Sequence, residues 1–358
     1  MSVSAPKLGI IGCGDITTGN HLPNALKTNW QIAALCDGNL DAAEDAREAS
    51  GIPDTPIFED YKDLLALKDL NAVIIATPPV SHMPITIDAL RAGKHVLCEK
   101  PSTLSVAENE AILAEAKKYP EITVQFFSSR FRDEFSNYAR EIVRSGKLGK
   151  IYRTDIQFSL PAARACDLEK VKGKPHRLWF GKKEKAGGGP FMDMGQYFLD
   201  RLFHILDWPE LESLSAQEFR GMETGLPNEA DWDVEDHMTV LARMEGNLTL
   251  TMDTTARALQ HWRWSINING TSGSLSLDNT RQDKFVYTYE DPVSKELRRE
   301  TKEAPQSVDD LPARLFDLEA ILNGESREIG TTPEQALMLT DFCMKAYQSS
   351  KQRAQVSA

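Results

Sequence analysis

The sequence has no paired cysteines, no long apolar run, no excess of basic charge and no cluster of metal ligands. Its five cysteines, Cys13, Cys36, Cys98, Cys166 and Cys343, are scattered, odd in number and form no C-x-x-C pair. That pattern excludes a disulfide scaffold and reads as free thiols in a reducing compartment. Cys13, Cys36 and Cys98 lie in or beside apolar stretches, which suits small buried side chains rather than nucleophiles. No segment approaches the ~20 apolar residues of a membrane span, and the opening residues MSVSAPK lack the apolar core of a secretory signal. A cytoplasmic protein with no membrane partner is expected. The formal net charge is -12; a nucleic-acid binder favours a basic surface, so no such partner is expected either. Internal repeats, low-complexity tracts and a serine-triad signature are also missing.

What the sequence does contain is alternation. At 358 residues, with 41% hydrophobic and 26% charged side chains, the chain is a packed protein too long for one ordinary core, so two domains are the default. Between 7 and 127, short apolar runs alternate with amphipathic segments. Strands are expected over 7–11, 31–36, 72–76, 95–98 and 123–127. Helices are expected over 17–28, 41–50, 61–67, 81–92 and from the capping box Ser105-Val-Ala-Glu108 to 118. Such alternation gives a parallel sheet with right-handed helical crossovers. The run AVIIA at 72–76 is apolar throughout, as a strand covered on both faces should be. Ligands gather at the carboxyl ends of such strands, and four ends are chemically distinctive: 12–17, Asp37, Thr77-Pro78-Pro79 and Glu99-Lys100-Pro101.

The first of these ends belongs to KLGIIGCGDIT, 7–17. Gly12 suits a tight turn, Gly14 lets the backbone approach a bulky anion, and the positive end of the following helix faces a pyrophosphate. Thr17 fills the third fingerprint position, where glycine or alanine is usual. Asp37 closes the next strand, where an acid that accepts ribose hydroxyls belongs. It would repel a 2′-phosphate, and Gly38-Asn39 offers no cation to hold one, so NAD is favoured over NADP. A helix N-cap is the alternative role for Asp37, although Asp41 is also available for that. Lys100 stands at an inner strand tip before Pro101, where its ammonium can hydrogen-bond a substrate hydroxyl and stabilise negative charge on that oxygen. An ion pair with Glu99 is the plainer alternative.

Three segments in this order, GIIGCGDI, ATPPVSHMPITIDALRAGKHVLCEKP and AGGGPFMDMGQYFLD, resemble the Gfo/Idh/MocA family of nicotinamide-dependent sugar and polyol oxidoreductases. The resemblance covers nearly the whole chain, and AGKHVLCEKP is its most specific part. It implies an α/β Rossmann domain with a parallel sheet over 1–127. It also implies an α+β domain with a large open, mostly antiparallel sheet over 128–358, whose last helices can pack back on the first domain. Family members commonly form dimers or tetramers through that sheet. Carried onto this sequence, the resemblance implies that Gly12, Gly14, Asp15 and Ile16 line the pyrophosphate and that Asp37 holds the adenosine ribose. Thr77, Pro78 and His82 would flank the nicotinamide half, Glu99 would contact the nicotinamide ribose, and Lys100 would be catalytic. A cis Lys100–Pro101 bond is expected on the same ground.

Beyond 127 the pattern changes. An amphipathic helix is expected over 134–145 and a strand over 151–160. Residues 161–185 are basic and irregular, with Arg164, Lys172, Lys174, His176, Arg177, Lys182, Lys183 and Lys185. This excess either borders a site for an anionic or polyhydroxylated substrate or is a solvated loop. Gly187-Gly188-Gly189-Pro190 permits close backbone approach to a ligand and precedes a helix over 191–206. There Asp193, Tyr197 and Asp200 share a face, either an acid and a phenol suited to proton handling or simply a polar outer face. The family reads D-x-G-x-H-x-x-D at this place. Tyr197 stands where the histidine is usual, as in members similar to glucose-fructose oxidoreductase. His204, one turn beyond Asp200, reads as a packing residue, with the catalytic base as its alternative role. Strands over 237–244, 247–255, 262–269, 274–277 and 284–289 imply an antiparallel sheet. Trp262 and Trp264 share one face, for a subunit contact or for sheet packing. Helices over 309–322 and 333–348 follow, with a frayed end.

The expected function is hydride transfer between nicotinamide and a secondary alcohol or carbonyl of a sugar, polyol or sugar acid. Lys100, Asp193 and Tyr197 are the catalytic candidates, and no metal is involved. Two alternatives remain open. The same parts can serve transient oxidation in an NAD-dependent glycosidase or sugar–sugar transhydrogenase, or the chain can be a non-catalytic regulator that senses dinucleotide. The expected partners are a sugar or polyol and further copies of the chain, as homodimer or homotetramer.

Overall fold

The computed structural model describes residues 5–127, 134–161, 175–222, 232–258, 262–278, 284–290, 294–303, 310–325 and 330–358. The chain divides into two compact units, one of Met1–Ser129 with Ser307–Thr340, the other of Arg130–Gln306 with Asp341–Ala358.

In the first unit, β1 (Lys7–Ile11), β2 (Gln31–Cys36), β3 (Ile57–Phe58), β4 (Ala72–Ile75), β5 (His95–Cys98) and β6 (Val124–Phe126) form a six-stranded sheet. Its order is β3-β2-β1-β4-β5-β6 and every pairing is parallel. The helices between them are α1 (Leu22–Ala25), α2 (Leu40–Ala49), α3 (Tyr61–Leu65), α4 (His82–Arg91) and α5 (Val106–Ala116). The winding reverses between β1 and β4, so the crevice beyond their carboxyl ends is the switch point of the sheet. All four residues of β4 are buried, which is why the run reads as apolar without alternation. Two residues of β3 are too few to leave a periodic signal. Ser105 caps α5 by accepting from Glu108 N at 3.3 Å. A later helix, α9 (Asp310–Leu322) in the numbering below, adds Leu315 and Leu318 to the same core, and Trp30 Nε1 donates to Leu315 O at 3.0 Å.

The second unit holds α6 (Glu134–Arg144), β7 (Ile151–Pro161), a short α7 (Lys183–Ala186), α8 (Gln196–Ile205) and β8 (Leu211–Phe219). After these come β9 (His237–Met244), β10 (Leu248–Ala258), β11 (Arg263–Gly270), β12 (Gly273–Asp278), β13 (Lys284–Glu290) and β14 (Leu297–Glu303). The chain then runs through α9, α10 (Pro333–Gln352) and β15 (Val356–Ser357). The nine-stranded sheet has the order β14-β13-β12-β11-β7-β10-β9-β8-β15 and is antiparallel except for the parallel pair β7–β10. One face is buried, as the strict alternation of β9 shows. Phe198 of α8 packs there, with ring centroids 5.3 Å from Phe158 and 5.8 Å from Trp264. Trp264 is therefore a sheet-packing residue, whereas Trp262 lies before β11 and is exposed. The end of the chain does not fray: Val356 and Ser357 pair with Leu214 and Ser213 of β8. No described helix is long and apolar enough to cross a membrane, and the described residues contain no group of three metal-ligating side chains.

Candidate functional site

The glycine turn and Asp37 meet at the carboxyl end of the first sheet. Gly12 has φ +97, and a Cβ there would lie 2.6 Å from the Ala76 carbonyl carbon. Only glycine lets β1 pass the end of β4 so closely. At Gly14 a Cβ would meet nothing within 4 Å, so this backbone faces open space that a phosphate group can enter. Cys13 N donates to Asp37 Oδ2 and Asn39 N to Asp37 Oδ1, each at 2.8 Å. The carboxylate is thus oriented with lone pairs left for ribose hydroxyls. Asn39, not Asp37, caps α2 by accepting from Asp41 N. Thr17 Oγ1 donates to Gly12 O at 2.6 Å; the unusual third fingerprint residue braces the turn. Asp15 and Ile16 are exposed beside it. Asp37 also helps to push the Cys13 thiol up to about 12, after burial as the main cause, which fits four buried free thiols at Cys13, Cys36, Cys98 and Cys343.

The tips of β4 and β5 are joined by His82. The ring is fully buried, with Nδ1 2.8 Å from Pro101 O and Nε2 2.8 Å from Thr77 O. Burial pushes its pKa down, so the neutral ring has one N–H for two carbonyls. His82 acts on the backbone that carries Thr77 and Pro101, and Pro78 starts the short turn between them. The Lys100–Pro101 bond is cis. Glu99, 9% exposed, accepts from His21 Nε2 at 2.9 Å on Oε1 and from Lys100 N at 3.1 Å on Oε2. Burial alone would raise its carboxyl, but the His21 hydrogen bond and the nearby charges outweigh it and the pKa falls. Lys100 itself is partly exposed.

In the second unit, Asp193 and Tyr197 straddle the junction between a π-helical turn, Phe191–Gly195, and α8. Both are partly exposed, but Asp200 is wholly buried. Tyr197 and Asp200 both lie in the regular part of α8, one turn apart, so the face they share passes from partly exposed at Tyr197 to buried at Asp200. The glycines before this helix also differ from expectation. A Cβ on Gly188 would overlap the Tyr347 hydroxyl, and one on Gly189 would overlap Glu235 O. Packing, not a ligand, requires them. Glu235, buried, accepts from Gly189 N at 2.8 Å, Phe191 N at 3.1 Å and Tyr347 Oη at 3.0 Å. Burial raises its carboxyl pKa. His204 is buried with Arg140 Nη1 3.3 Å from its ring nitrogens, a packing role as expected. Arg164, Lys172, Lys174 and Cys166 lie outside the described residues, as do the side chains of His176 and Arg177.

Sequence reasoning passed over His21, Glu235, Phe127 and Arg314. His21 stacks on Phe127 with centroids 5.0 Å apart, and the Arg314 guanidinium lies 5.1 Å over the same ring. None carries a local signal, because each is defined by a partner distant in sequence.

Comparison with known proteins gives a consistent result. The family profile described as "Oxidoreductase family, NAD-binding Rossmann fold" matches residues 7–126, and that described as "GFO/IDH/MocA C-terminal domain" matches residues 136–276. The chain is 29% identical over 236 residues to D-glucoside 3-dehydrogenase of Escherichia coli, covering 65% of this chain and 64% of that protein. It is 26% identical over 285 residues to myo-inositol 2-dehydrogenase of Thermotoga maritima, covering 79% and 78%. Among solved structures, the apo form of levoglucosan dehydrogenase superposes with a TM-score of 0.83 at 17% identity over 99% of both chains. An oxidoreductase domain protein from Kribbella flavida gives 0.81 at 23% identity over 99% of both chains. At those identities the structural likeness shows the fold alone.

Proposed function

The chain belongs to the Gfo/Idh/MocA oxidoreductase family, and on that premise we propose that it is an NAD-dependent dehydrogenase or reductase of a sugar, polyol or sugar acid, acting on a secondary alcohol or its carbonyl. The observation that carries this reading is the oriented Asp37 carboxylate beside the open Gly14 turn. An acid at that place favours ribose hydroxyls and disfavours a 2′-phosphate, hence NAD over NADP. The glucoside and inositol dehydrogenases named above support the substrate class.

Gly12, Gly14, Asp15 and Ile16 would hold the pyrophosphate, Asp37 the adenosine ribose, Thr77 and Pro78 the nicotinamide half, and Glu99 its ribose, with His82 bracing Thr77. When bound, the nicotinamide supplies the hydride acceptor or donor. Tyr197 takes the proton of the substrate hydroxyl in oxidation and returns it in reduction. A phenol titrates near ~10 in water, and an ammonium brought near it favours its anion; we assign that role, and the stabilisation of charge on the substrate oxygen, to Lys100. Asp193 orients Lys100 or the substrate. The histidine usual at position 197 in the family would do the same work with a lower starting pKa.

A screen of NAD and NADP reduction against sugars, inositols and sugar acids tests the substrate. Lys100→Ala and Tyr197→Phe should each lower kcat by at least ~100-fold while NADH binding survives. Unchanged turnover in both removes these roles. The same absorbance trace separates transient oxidation, which turns over sugar without net NADH. Association into dimers or tetramers belongs to the same proposal, supported by the exposed sheet face bearing Leu241, Arg153 and Thr239. Sedimentation velocity tests it, and a monomer would remove it.

A further inference from the structure

The first helix after the glycine turn opens with Asp15 and Ile16 in α-helical geometry and is interrupted almost at once. Thr17–His21 forms a π turn, and α1 follows from Leu22. A π turn inserts a residue into the helical register and re-aims the side chains that follow, often at functional sites. Here the re-aimed residue is His21. Its side chain is buried, its Nε2 lies 2.9 Å from Glu99 Oε1, and its ring rests on Phe127. Arg314, wholly buried, places its guanidinium 5.1 Å from the centre of the Phe127 ring and donates to Phe126 O at 3.3 Å. Arg314, Phe127, His21 and Glu99 thus form one buried column that ends at the residue before Lys100.

We propose that His21 is a positioning residue that fixes the Glu99 carboxylate, through Nε2–H donation, in the orientation and charge state in which it accepts a hydroxyl of the nicotinamide ribose. A histidine kept only for packing would be a poor choice here. Its Nδ1 is buried and has no hydrogen-bond partner among the described residues, a cost a phenylalanine or leucine would not bear. The donor nitrogen is what such an apolar residue lacks. The other oxygen of Glu99 accepts from Lys100 N, so each carboxylate oxygen has one donor aimed at it. The titratable groups facing Glu99 are His21, Lys100, His82 and Cys98. His21 is the one hydrogen-bonded through its side chain. Without it, burial favours the protonated acid, which has lost both its anionic acceptor strength and its fixed aim.

This inference rests on the reading of Glu99 as a ribose ligand, and the test separates the two. NADH affinity is measured by fluorescence titration of the full chain without substrate, alongside thermal melting. Glu99→Gln tests the ribose reading by itself and should weaken NADH at least tenfold. His21→Phe keeps a ring on Phe127 and removes the donor; it should weaken NADH about as much. The double variant should be within about twofold of either single one, because both remove the same bond. His21→Gln, which restores an N–H near the Nε2 position, should recover most of the affinity, and His21→Met, of equal length without a donor, should not. The Gln/Met pair carries the test if His21→Phe does not fold. An unchanged NADH affinity in Glu99→Gln sinks the ribose reading and the His21 role with it. Weakened NADH in Glu99→Gln but wild-type affinity in His21→Phe or His21→Met overturns the His21 role alone. Losses that simply add in the double variant overturn it as well.

Discussion

Two helices in this protein start after a glycine-rich stretch, each with a π turn near its start, and they have opposite environments. After Gly12-Cys13-Gly14 a Cβ on Gly14 would meet nothing within 4 Å. After Gly187-Gly188-Gly189-Pro190 the glycines are filled by Tyr347 and by the backbone of Glu235, and the free N–H groups of Gly189 and Phe191 are already bonded to the Glu235 carboxylate. The positive end of a helix attracts an anion in either case. In the second unit the protein supplies its own anion; in the first, Asp37 takes Cys13 N and the proposed occupant beside Gly14 is a pyrophosphate from outside. A glycine run therefore signals close approach, and only the surroundings decide whether a ligand or a side chain does the approaching.

The largest expected effects break this symmetry directly. Gly189→Ala places a Cβ into Glu235 O, which is backbone and cannot yield. It should cost roughly 3 kcal/mol or more, or prevent folding of the second unit. Gly14→Ala meets no atom and should stay within about 0.5 kcal/mol of wild type in stability, yet weaken NAD binding by tenfold or more. Urea unfolding and NADH titration of both variants read the contrast. A stable Gly189→Ala, or a Gly14→Ala that binds NADH normally, would erase it.

Removing the internal anion comes next. Glu235→Ala leaves two buried N–H groups and the Tyr347 hydroxyl without their acceptor, a loss of roughly 2–4 kcal/mol. Glu235→Gln keeps one acceptor oxygen and should cost less, with thermal melting giving the order. On the open side, Asp37→Asn retains an oxygen for Cys13 N but loses the charge. It should weaken NAD by roughly tenfold, about 1.4 kcal/mol, and narrow the preference against NADP. An unaltered ratio of the two affinities would remove Asp37 from cofactor choice.

The sequence made the first unit legible because its strands are buried on both faces and its site residues lie at strand ends. The runs 7–11 and 72–76, the turn at Gly12 and Asp37 all follow from local pattern. The strands β3, β8 and β14 escaped notice, the first through brevity and the last through an exposed, charged composition, LRRETKE. His21 and Glu235 escaped for a different reason. His21 meets Glu99 across 78 residues, and Glu235 meets Gly189 across 46. No periodicity registers pairings of that length, and a π turn shifts the count that would have aimed each helix.

The smallest expected effect sharpens the comparison within α8 itself, which has a carboxylate near each end. Asp207, just beyond its C-terminus at φ 61, faces the negative end of the helix dipole, an unfavourable place for an acid. Arg140 and Arg144 compensate: Nη2 of each donates to Asp207 Oδ1, at 2.8 and 2.6 Å, and the Arg144 bond is the main cause that brings its pKa down to about 2. A lowered folded pKa gives stability that is present above the unfolded value near 3.8 and lost as pH falls towards 2. Glu235, at the other end, has a raised pKa. Its contribution is fully present below the unfolded value of 4.5 and is lost as pH rises through the folded one. The two ends should thus respond to pH in opposite directions. Because the Asp207 side chain is 47% exposed, solvent screening limits Asp207→Asn to under about 1 kcal/mol. The difference from wild type should be visible at pH 5 and vanish near pH 2. Glu235→Gln should instead flatten the loss of stability on the alkaline side. Melting curves from pH 2 to 9 on both variants measure it, and parallel shifts at every pH would show that neither carboxylate's ionisation is coupled to folding.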